Sequence, residues 1–501
     1  MRVHPAGAGD IGIDSNTQSV GKGKTMYQSD SEASAMTPLD VPAGQHRKPL
    51  PIIYIVGPIA ALAGLLFGMD IGVISGALPL IAEAFHASDL VQEMIVSAMM
   101  AGAAVGAIGG GWLSHRFGRR VTLLISGLVF VVGAVGCAVA MSTTTLIVMR
   151  GLLGVAVGIS SYIAPIYLSE MSPERNRGAL IACYQLSIMI GILLAYLIGA
   201  GLSYSGNWRM MLGSMAPLAA ILVVTMFFLP TSPRWLMSKK RDDEARAVLL
   251  RLRENDPVVA EAEMAAIRVS LQVEGNGFRL FRTNPNFRRS TYLGMLLQFM
   301  QQFTGANVIL YYAPKILGLA GIATGANRMW GTVAIGALMV LATFIAIHQV
   351  DRLGRKPLLY IGYSVMGLCM LGMAALFHVG LGHGHSAGVA IALLVAFVIA
   401  YAMSAAPVVW ILCSEIQPLN GRDFGVSCST VTNWVSNFVV GATFLSLLTA
   451  LGSGQTFALY AVLNFLFIGL VWRLLPETKG VTLENIERKL MAGVRLRDIG
   501  I

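Results

Sequence analysis

The chain has 501 residues, of which 55% are apolar and only 12% are charged, and its mean hydropathy is +0.68. Typical soluble domains carry about 25% charged residues, so this composition excludes an ordinary soluble protein. The 55 glycines agree, because glycine is more frequent in membrane helices than in soluble ones. The formal net charge of +10 is spread over short loops without clustered aromatics, so no nucleic-acid partner is predicted.

The N-terminal segment, residues 1–50, is rich in Gly, Ser, Asp and Lys and lacks the apolar core of a signal peptide. This composition predicts a disordered cytoplasmic tail. Met26 and Met36 leave a second interpretation open, in which translation starts downstream and part of the tail is never made.

Apolar stretches long enough to cross a bilayer recur along the rest of the chain. A membrane helix needs about 20 mostly apolar residues, and twelve such stretches begin near residues 52, 92, 121, 145, 178, 208, 290, 328, 357, 390, 424 and 455. The sequence therefore predicts an all-α membrane protein with twelve transmembrane helices. The predicted parts are an N-terminal six-helix half (51–230), a cytoplasmic linker with short helices (231–288), a C-terminal six-helix half (289–476) and a cytoplasmic C-terminal segment (477–501).

Basic residues set the expected orientation. His115–Arg120 and Asp351–Lys356 are short basic loops, whereas the connections 142–145 and 451–455 are poor in Lys and Arg. The positive-inside rule then places the two basic loops in the cytoplasm. An even number of helices puts both termini on that side as well, in a multi-pass protein of the plasma membrane.

The two halves repeat each other. His115–Arg120 recurs at Asp351–Lys356 with an offset of 236, and Glu170 recurs at Glu415 with an offset of 245. Parallel six-helix repeats around an axis along the membrane normal are a transporter architecture, and its solute site lies near the midplane between the halves.

Asp70 and Arg150 are the ionisable residues that stand out inside the predicted membrane helices. A charge at the bilayer centre costs about 3 kcal/mol or more, so an unpartnered one is improbable and functional roles are the default. We expect Asp70 to accept a proton and Arg150 to be its partner, because an adjacent cation lowers a carboxylate pKa whereas desolvation raises it. The alternative is a fixed salt bridge that joins two helices and never titrates.

Neutral amides and two indoles form the predicted solute site. An amide offers both hydrogen-bond donors and acceptors, which suits a neutral polyol better than an ion, and an indole ring can cover the apolar face of a sugar. The predicted substrate-binding residues are Gln185, Gln298, Gln301, Gln302, Asn307, Trp410, Asn433 and Trp434. For any single amide, a hydrogen bond between helices is an equally good interpretation.

The basic loops carry a second prediction. Arg119 and Arg355 either face lipid headgroups or pair with Glu170 and Glu415 and hold a cytoplasmic gate shut. The predicted gate residues are Arg116, Arg119, Glu170, Arg177, Asp351, Arg352, Arg355 and Glu415. No enzyme, metal site or cofactor is predicted, since the amide cluster lacks a nucleophile with its base or a set of metal ligands.

Several motifs carry a family resemblance, namely Arg116–Arg120, Pro230–Leu236, Gln301–Asn307, Asp351–Lys356 and Pro476–Gly480. With them the chain, from about residue 50 to 498, resembles the sugar porter family of the major facilitator superfamily. Within that family the stretch Ser404–Glu415 is most similar to the bacterial galactose–proton and arabinose–proton symporters. The resemblance implies a monosaccharide:proton symporter of the bacterial inner membrane that works by alternating access, with a monomer as the functional unit. It also implies that the sugar contacts fall on Gln185, Gln301, Gln302, Asn307, Trp410, Asn433 and Trp434, and the proton site on Asp70 with Arg150.

Three departures from the family pattern limit the resemblance. His115 and Thr231 stand where acids are common, and Met339 stands where several hexose-carrying relatives have Asn. The choice between hexose and pentose therefore stays open. A proton-independent sugar facilitator is the first rival function, and a sugar sensor that does not transport is the second.

Overall fold

The computed structural model describes residues 51–172, 174–253, 255–273, 277–319, 321–322, 325–379 and 385–500. The predicted tail, residues 1–50, lies outside this set. The described residues form α-helices and one short 3-10 helix, and no strand occurs among them, which confirms the all-α prediction.

Among the described residues, the N-terminal half has seven helices, which make six crossings. Their bounds are α1 Pro51–Phe85, α2 Asp89–Phe117, α3 Arg119–Ala138, α4 Thr143–Met171, α5 Glu174–Ser203, α6 Trp208–Gly213 and α7 Met215–Phe228. Helices α6 and α7 together form the sixth crossing. Four short helices follow in the linker, with bounds α8 Pro233–Ser238, α9 Asp242–Leu252, α10 Pro257–Val273 and α11 Gly277–Thr283.

The C-terminal half repeats the six crossings with two of them broken. Its helices are α12 Pro285–Gln302, α13 Ala306–Leu319, α14 Gly325–Leu353, α15 Arg355–Val379, α16 His385–Met403, α17 Ala405–Glu415, α18 Arg422–Leu451 and α19 Ser453–Leu474. The C-terminal segment adds α20 Leu483–Met491 and the 3-10 turn Leu496–Asp498.

Eleven spans of the described chain are long and apolar enough to cross a membrane by length and composition. The remaining predicted crossing, the seventh, consists of α12 and α13 and is interrupted between them. Gly305 turns the chain there with a φ of +89°, a conformation that residues with a Cβ rarely adopt. The interruption leaves the Thr304 carbonyl outside the helical ladder, and the Asn464 side chain donates to it at 3.0 Å.

Small residues allow the helices of the N-terminal half to pack closely. A Cβ on Gly106 of α2 would meet the Val155 carbonyl of α4, and one on Gly158 of α4 would meet the Ala103 carbonyl of α2. Such glycines let two backbones approach where larger residues would separate them. Helices α1 and α5 form a second close pair, so the half is a tightly packed unit.

The halves meet through symmetry-related helices. Helix α2 packs on α18, α5 packs on α14, and α1 contacts α13. Numbered as crossings, the second packs on the eleventh and the fifth packs on the eighth. A two-fold repeat of six crossings relates the second to the eighth and the fifth to the eleventh, so it predicts both pairings together. The interface between the halves is therefore built from matching helices of each half.

Candidate functional site: a buried amide cluster beside an ion pair

The amide cluster forms where α12 ends. Asn433 on α18 donates from Nδ2 to Gln298 Oε1 at 2.6 Å and to Gln301 Oε1 at 2.9 Å. Gln302 Nε2 donates to Gln301 Oε1 at 3.4 Å, and Gln302 Oε1 accepts from Asn307 Nδ2 across the interruption of the seventh crossing. All five side chains are at most 8% exposed. The sequence predicts Asn433 on the eleventh crossing and the other four amides on the seventh, and the structure divides those four between α12 and α13.

A second helix break supplies further partners for this cluster. Ser404, between α16 and α17, has φ −126° and ψ −88°, which is not helical. Gln301 Nε2 donates to the carbonyl of Ala405 at 2.8 Å and to that of Ala406 at 3.3 Å. The two interrupted crossings of the C-terminal half therefore meet at Gln301.

Two buried side-chain polar atoms of α18 have no hydrogen-bond partner within the described chain. They are Trp434 Nε1, a donor, and Asn437 Oδ1, an acceptor. The two residues are three apart on α18 and therefore share a face. The Trp434 ring packs against Phe67 of α1 with centroids 5.3 Å apart, which places it at the boundary between the halves.

Two predicted sugar ligands lie apart from this network. Gln185 is half-buried on α5, and Trp410 is 37% exposed on α17. Among the residues that the structure covers, the hydrogen bonds of the amide cluster reach neither side chain. A role for either residue in sugar binding stays a prediction.

Asp70 and Arg150 form a fully buried ion pair within the N-terminal half. Arg150 Nη1 donates to Asp70 Oδ1 at 2.9 Å and Nη2 donates to Oδ2 at 3.4 Å. Arg150 Nε also donates to the Ile95 carbonyl at 3.0 Å, and both charged side chains are 0% exposed. The pair joins α1, α2 and α4. Because the pair is hidden from water, the negative charge of Asp70 is stable there only beside Arg150.

The two halves are tied together at the end of the bundle opposite the linker helices, which we call the far end. Lys315 of α13 pairs with Asp89 of α2 at 2.8 Å, and Thr449 of α18 donates to the other Asp89 oxygen at 3.3 Å. Glu93 of α2, 1% exposed, accepts from the backbone N–H of Ser446 at 2.7 Å and from its hydroxyl at 2.6 Å.

Sequence reasoning missed Glu93. The second predicted helix begins near residue 92, so Glu93 looks like an ordinary acid in a first helical turn. Helix α2 begins at Asp89 instead, which places Glu93 one turn inside the helix and against α18. The neighbouring Asp89 and Gln92 could have signalled an earlier start.

At the opposite end, which we call the linker end, each half contains one ion-pair cluster. The N-half cluster consists of Arg119, Glu170 and Ser232, in which Glu170 accepts from Arg119 at 2.7 Å and from Ser232 at 2.5 Å. The C-half cluster consists of Arg355, Glu415 and Thr478, in which Glu415 accepts from Arg355 at 2.9 Å and from Thr478 at 2.6 Å.

The Arg–Glu pair of each cluster lies within a single half, so neither pair joins the two halves in this conformation. Each cluster instead ties the ends of neighbouring crossings to the segment that follows the half. The predicted gate residues Arg116 and Arg352 are exposed. The side chains of Arg177 and Asp351 lie outside the described residues. A gating role for the whole set stays a prediction.

These features define a class of protein. The two six-helix halves contain a polar cluster and a buried ion pair, and a salt bridge and hydrogen bonds tie the halves together at the far end. This is the architecture of a transporter that alternates access between two sides of a membrane.

The comparisons agree with that class. Residues 56–490 match the family described as "Sugar (and other) transporter", and the chain belongs to this family. It is 54% identical to the galactose-proton symporter of Escherichia coli strain K12, over 91% of this chain and 98% of the relative. It is 52% identical to the arabinose-proton symporter of the same strain, over 89% and 95%.

A solved structure shows the same fold. The proton:xylose symporter XylE, a major facilitator superfamily protein bound to 6-bromo-6-deoxy-D-glucose, matches with a TM-score of 0.74 and 30% identity. The match covers 88% of this chain and 98% of that chain. The protein therefore has the major facilitator fold.

Proposed function

We propose that the protein is a monosaccharide:proton symporter that carries galactose, arabinose or a related sugar by alternating access. The observation that carries the proposal is a fully buried carboxylate, Asp70, paired with Arg150 in the same bundle as a cluster of neutral amides. The functions of the two relatives from Escherichia coli support both the sugar and the proton.

The chemistry of the cluster suits a sugar. A hydroxyl group donates one hydrogen bond and accepts others, and α18 presents one unpaired donor on Trp434 and one unpaired acceptor on Asn437. Gln298, Gln301 and Asn433 already bond one another, so a sugar hydroxyl exchanges these bonds for its own rather than leaving a polar group unpaired. No charged side chain belongs to the cluster as described, which favours a neutral solute over an ion.

Asp70 would accept the proton. In the ionised pair its charge is balanced by Arg150, and in the protonated form Arg150 keeps its bond to the Ile95 carbonyl. The carboxyl can therefore exchange a proton without leaving the guanidinium bare. Sugar and proton transport are coupled if two states change conformation and the others do not. One is the sugar-loaded protein with Asp70 protonated, and the other is the empty protein with Asp70 ionised.

Alternating access requires the far-end contacts to break. Lys315 with Asp89, and Glu93 with Ser446, close that end between the halves, and separating the halves there would open the site to the far side. We place the linker end in the cytoplasm because it carries the basic loops. Both termini are then cytoplasmic, the far end faces the outside of the plasma membrane, and one chain suffices for transport.

The test follows external pH in a lightly buffered, de-energised suspension of cells that express the protein. Galactose, arabinose, xylose and glucose are added separately. An alkaline shift with one sugar is expected, and Asp70→Asn should abolish it while leaving sugar exchange intact. Asp242→Asn is the matched control, because it breaks an Asp–Arg pair on the exposed surface of the linker.

The other outcomes separate the rival functions. Entry of labelled sugar without any pH change would identify a facilitator, and Asp70 would then be structural. Sugar binding without entry would identify a sensor. If none of the four sugars binds or enters, the substrate class is wrong.

A further inference from the structure

Tyr311 and Asn437 stand one helical turn beyond the amide cluster. Asn437 follows Asn433 by four residues on α18, and Tyr311 follows Asn307 by four residues on α13. Residues four apart lie above one another on the same face of a helix. Two members of the cluster, one from each helix, therefore continue directly into this second pair.

The two side chains bond each other in the interior. Asn437 Nδ2 donates to the Tyr311 hydroxyl oxygen at 3.1 Å, and the residues are 3% and 1% exposed. Asn437 Oδ1 has no partner among the described residues. The Asn437 amide thus has one end committed to Tyr311 and the other end available to a ligand in the amide cluster.

Tyr311 connects the pair to the proton site. Its helix, α13, packs against α1, which carries Asp70, and the charges of Asp70 and Arg150 act on its hydroxyl. Since its oxygen accepts from Asn437, the hydroxyl keeps its own proton free to donate. Among the described residues, other titratable side chains that interact with Tyr311 or with the ion pair include Cys137 on α3, Tyr196 on α5 and Tyr401 on α16.

Tyr311 also has a route to the far end. With Tyr312, Lys315 and Arg328 it lines a cavity of about 260 Å³. Lys315 belongs to the far-end contacts described above. The Tyr311 side chain therefore lines the cavity that Lys315 also lines and contacts the Asn437 amide on α18. The electric field of the buried ion pair acts on the same side chain.

We propose that Asn437 and Tyr311 are positioning residues that couple sugar binding at the amide cluster to proton binding at Asp70. The inference rests on the proposed symport and names the residues that connect its two sites. A sugar hydroxyl donates to Asn437 Oδ1, and the amide holds the Tyr311 hydroxyl in a position that depends on that contact. When Asp70 gains a proton its charge is lost, and the Tyr311 hydroxyl reorients because its electrostatic attraction to the carboxylate ends. Tyr311 keeps its own proton throughout.

Coupling of this kind is reciprocal. If protonation of Asp70 raises sugar affinity, sugar raises proton affinity by the same factor, which is typically about 5-fold to 150-fold. The KM for sugar should therefore be lower at acidic than at alkaline pH in the natural protein. Without the Tyr311–Asn437 bond, this dependence should flatten while the amide cluster still binds sugar.

The test uses the purified full-length protein in proteoliposomes, with labelled galactose and arabinose as the probes. Tyr311→Phe and Asn437→Leu are the test variants, and Tyr312→Phe is the control. The hydroxyl of Tyr312 donates to the Gly441 carbonyl, one turn further along α18. Exchange of sugar at equal pH on both sides reports folding and sugar binding. The KM at acidic and alkaline pH, and the accumulation driven by a pH gradient, report coupling.

We expect Tyr311→Phe to keep exchange within about threefold of the natural protein, because it loses one neutral hydrogen bond. Asn437→Leu also removes a proposed sugar contact, so its exchange should be weaker. For both variants the KM ratio between the two pH values should fall to near one, and accumulation should fall at least about fivefold. Tyr312→Phe should keep both. The double variant should lose no more coupling than either single one, because the two residues act as one unit.

An unchanged KM ratio and unchanged accumulation in Tyr311→Phe would overturn the inference, even if Asn437→Leu failed to fold. If Tyr311→Phe lost exchange and accumulation to the same extent, the residue would have a structural role and the inference would also be refuted. If the natural protein itself moved sugar without protons, the proposed symport would fail first and this inference with it. If the natural protein is a symporter and the variants still couple sugar to protons, the proposed function stands and only the role of Tyr311 and Asn437 is refuted.

Discussion

The N-half and C-half clusters show how far the two repeats have diverged. Each has an arginine, a glutamate and a hydroxyl in the same order, with Arg–Glu distances of 2.7 and 2.9 Å. They differ in what stands beside the hydroxyl, since Glu477 precedes Thr478 whereas Thr231 precedes Ser232. The repeat has therefore kept the ion pair and has lost one acid.

Glu477 organises the C-half connection by charge. Its carboxylate accepts from the backbone N–H of Arg355 at 3.1 Å and of Lys356 at 2.9 Å, at the start of α15. A negative charge at a helix N-terminus is favourable because the first N–H groups have no partner in the helix. The carboxylate also fits against Gly354, where a Cβ would lie 2.8 Å from Glu477 Oε2.

The N-half connection uses an indole in that place. A Cβ on Gly118, the glycine before α3, would lie 3.0 Å from the Trp235 ring. Trp235 Nε1 donates to the His115 carbonyl at 3.1 Å. Packing and one neutral hydrogen bond thus stand where the other half has a charge, so the two ends should respond differently to the loss of their ion pairs.

Neutralising the glutamate of each cluster should have the largest effect and should be unequal between the halves. Glu170→Gln removes the acid that pairs with Arg119, and the neighbouring Thr231 supplies no second acid. The free energy of unfolding should therefore fall by about 2 to 3 kcal/mol. Glu415→Gln leaves Glu477 beside Arg355 and should cost less. Thermal unfolding of the purified protein in detergent, with transport in the same preparations, measures the difference, and equal losses would refute the asymmetry.

Exchanging the C-half acid for the N-half residue should have an intermediate effect. Glu477→Thr removes a carboxylate from the start of α15 and should cost about 1 to 2 kcal/mol. After this change Glu415→Gln should cost as much as Glu170→Gln does in the natural protein. The double variant compared with both single ones measures this; purely additive costs would show that Glu477 does not compensate for Glu415.

The reverse exchange should give the smallest effect and a gain. Thr231→Glu places a carboxylate near the start of α3, where it is expected to stabilise the protein by about 0.3 to 1 kcal/mol. The same preparations should unfold at a higher temperature, and high salt should reduce the gain. A lower unfolding temperature would mean that the packing of Trp235 leaves no room for a second acid.

The lengths of the apolar stretches predicted the twelve crossings well, because every helix that spans a bilayer needs about 20 mostly apolar residues. The interruptions inside crossings were not predicted. The seventh is broken by Gly305, whose φ of +89° no local pattern requires. The tenth is broken at Ser404 within an apolar run, where tertiary contacts decide the conformation.

The site was predictable where desolvation is expensive. Asp70 and Arg150 lie on different helices, yet the cost of an unpaired charge in a membrane indicated a pair, and the structure brings them together at 2.9 Å. Glu93 and Asn437 were missed because each looks ordinary in its own segment. The four-residue spacing from Asn433 to Asn437 was the available signal for the last of them.

The buried ion pair also has an electrical consequence. With both groups ionised, Asp70 and Arg150 carry no net charge, so membrane voltage exerts no net force on that site. Under the proposed mechanism protonation leaves the site with one positive charge, on which 100 mV across the whole membrane acts with about 2.3 kcal/mol. Membrane potential should therefore speed inward movement of the loaded carrier and leave the return of the empty one almost untouched.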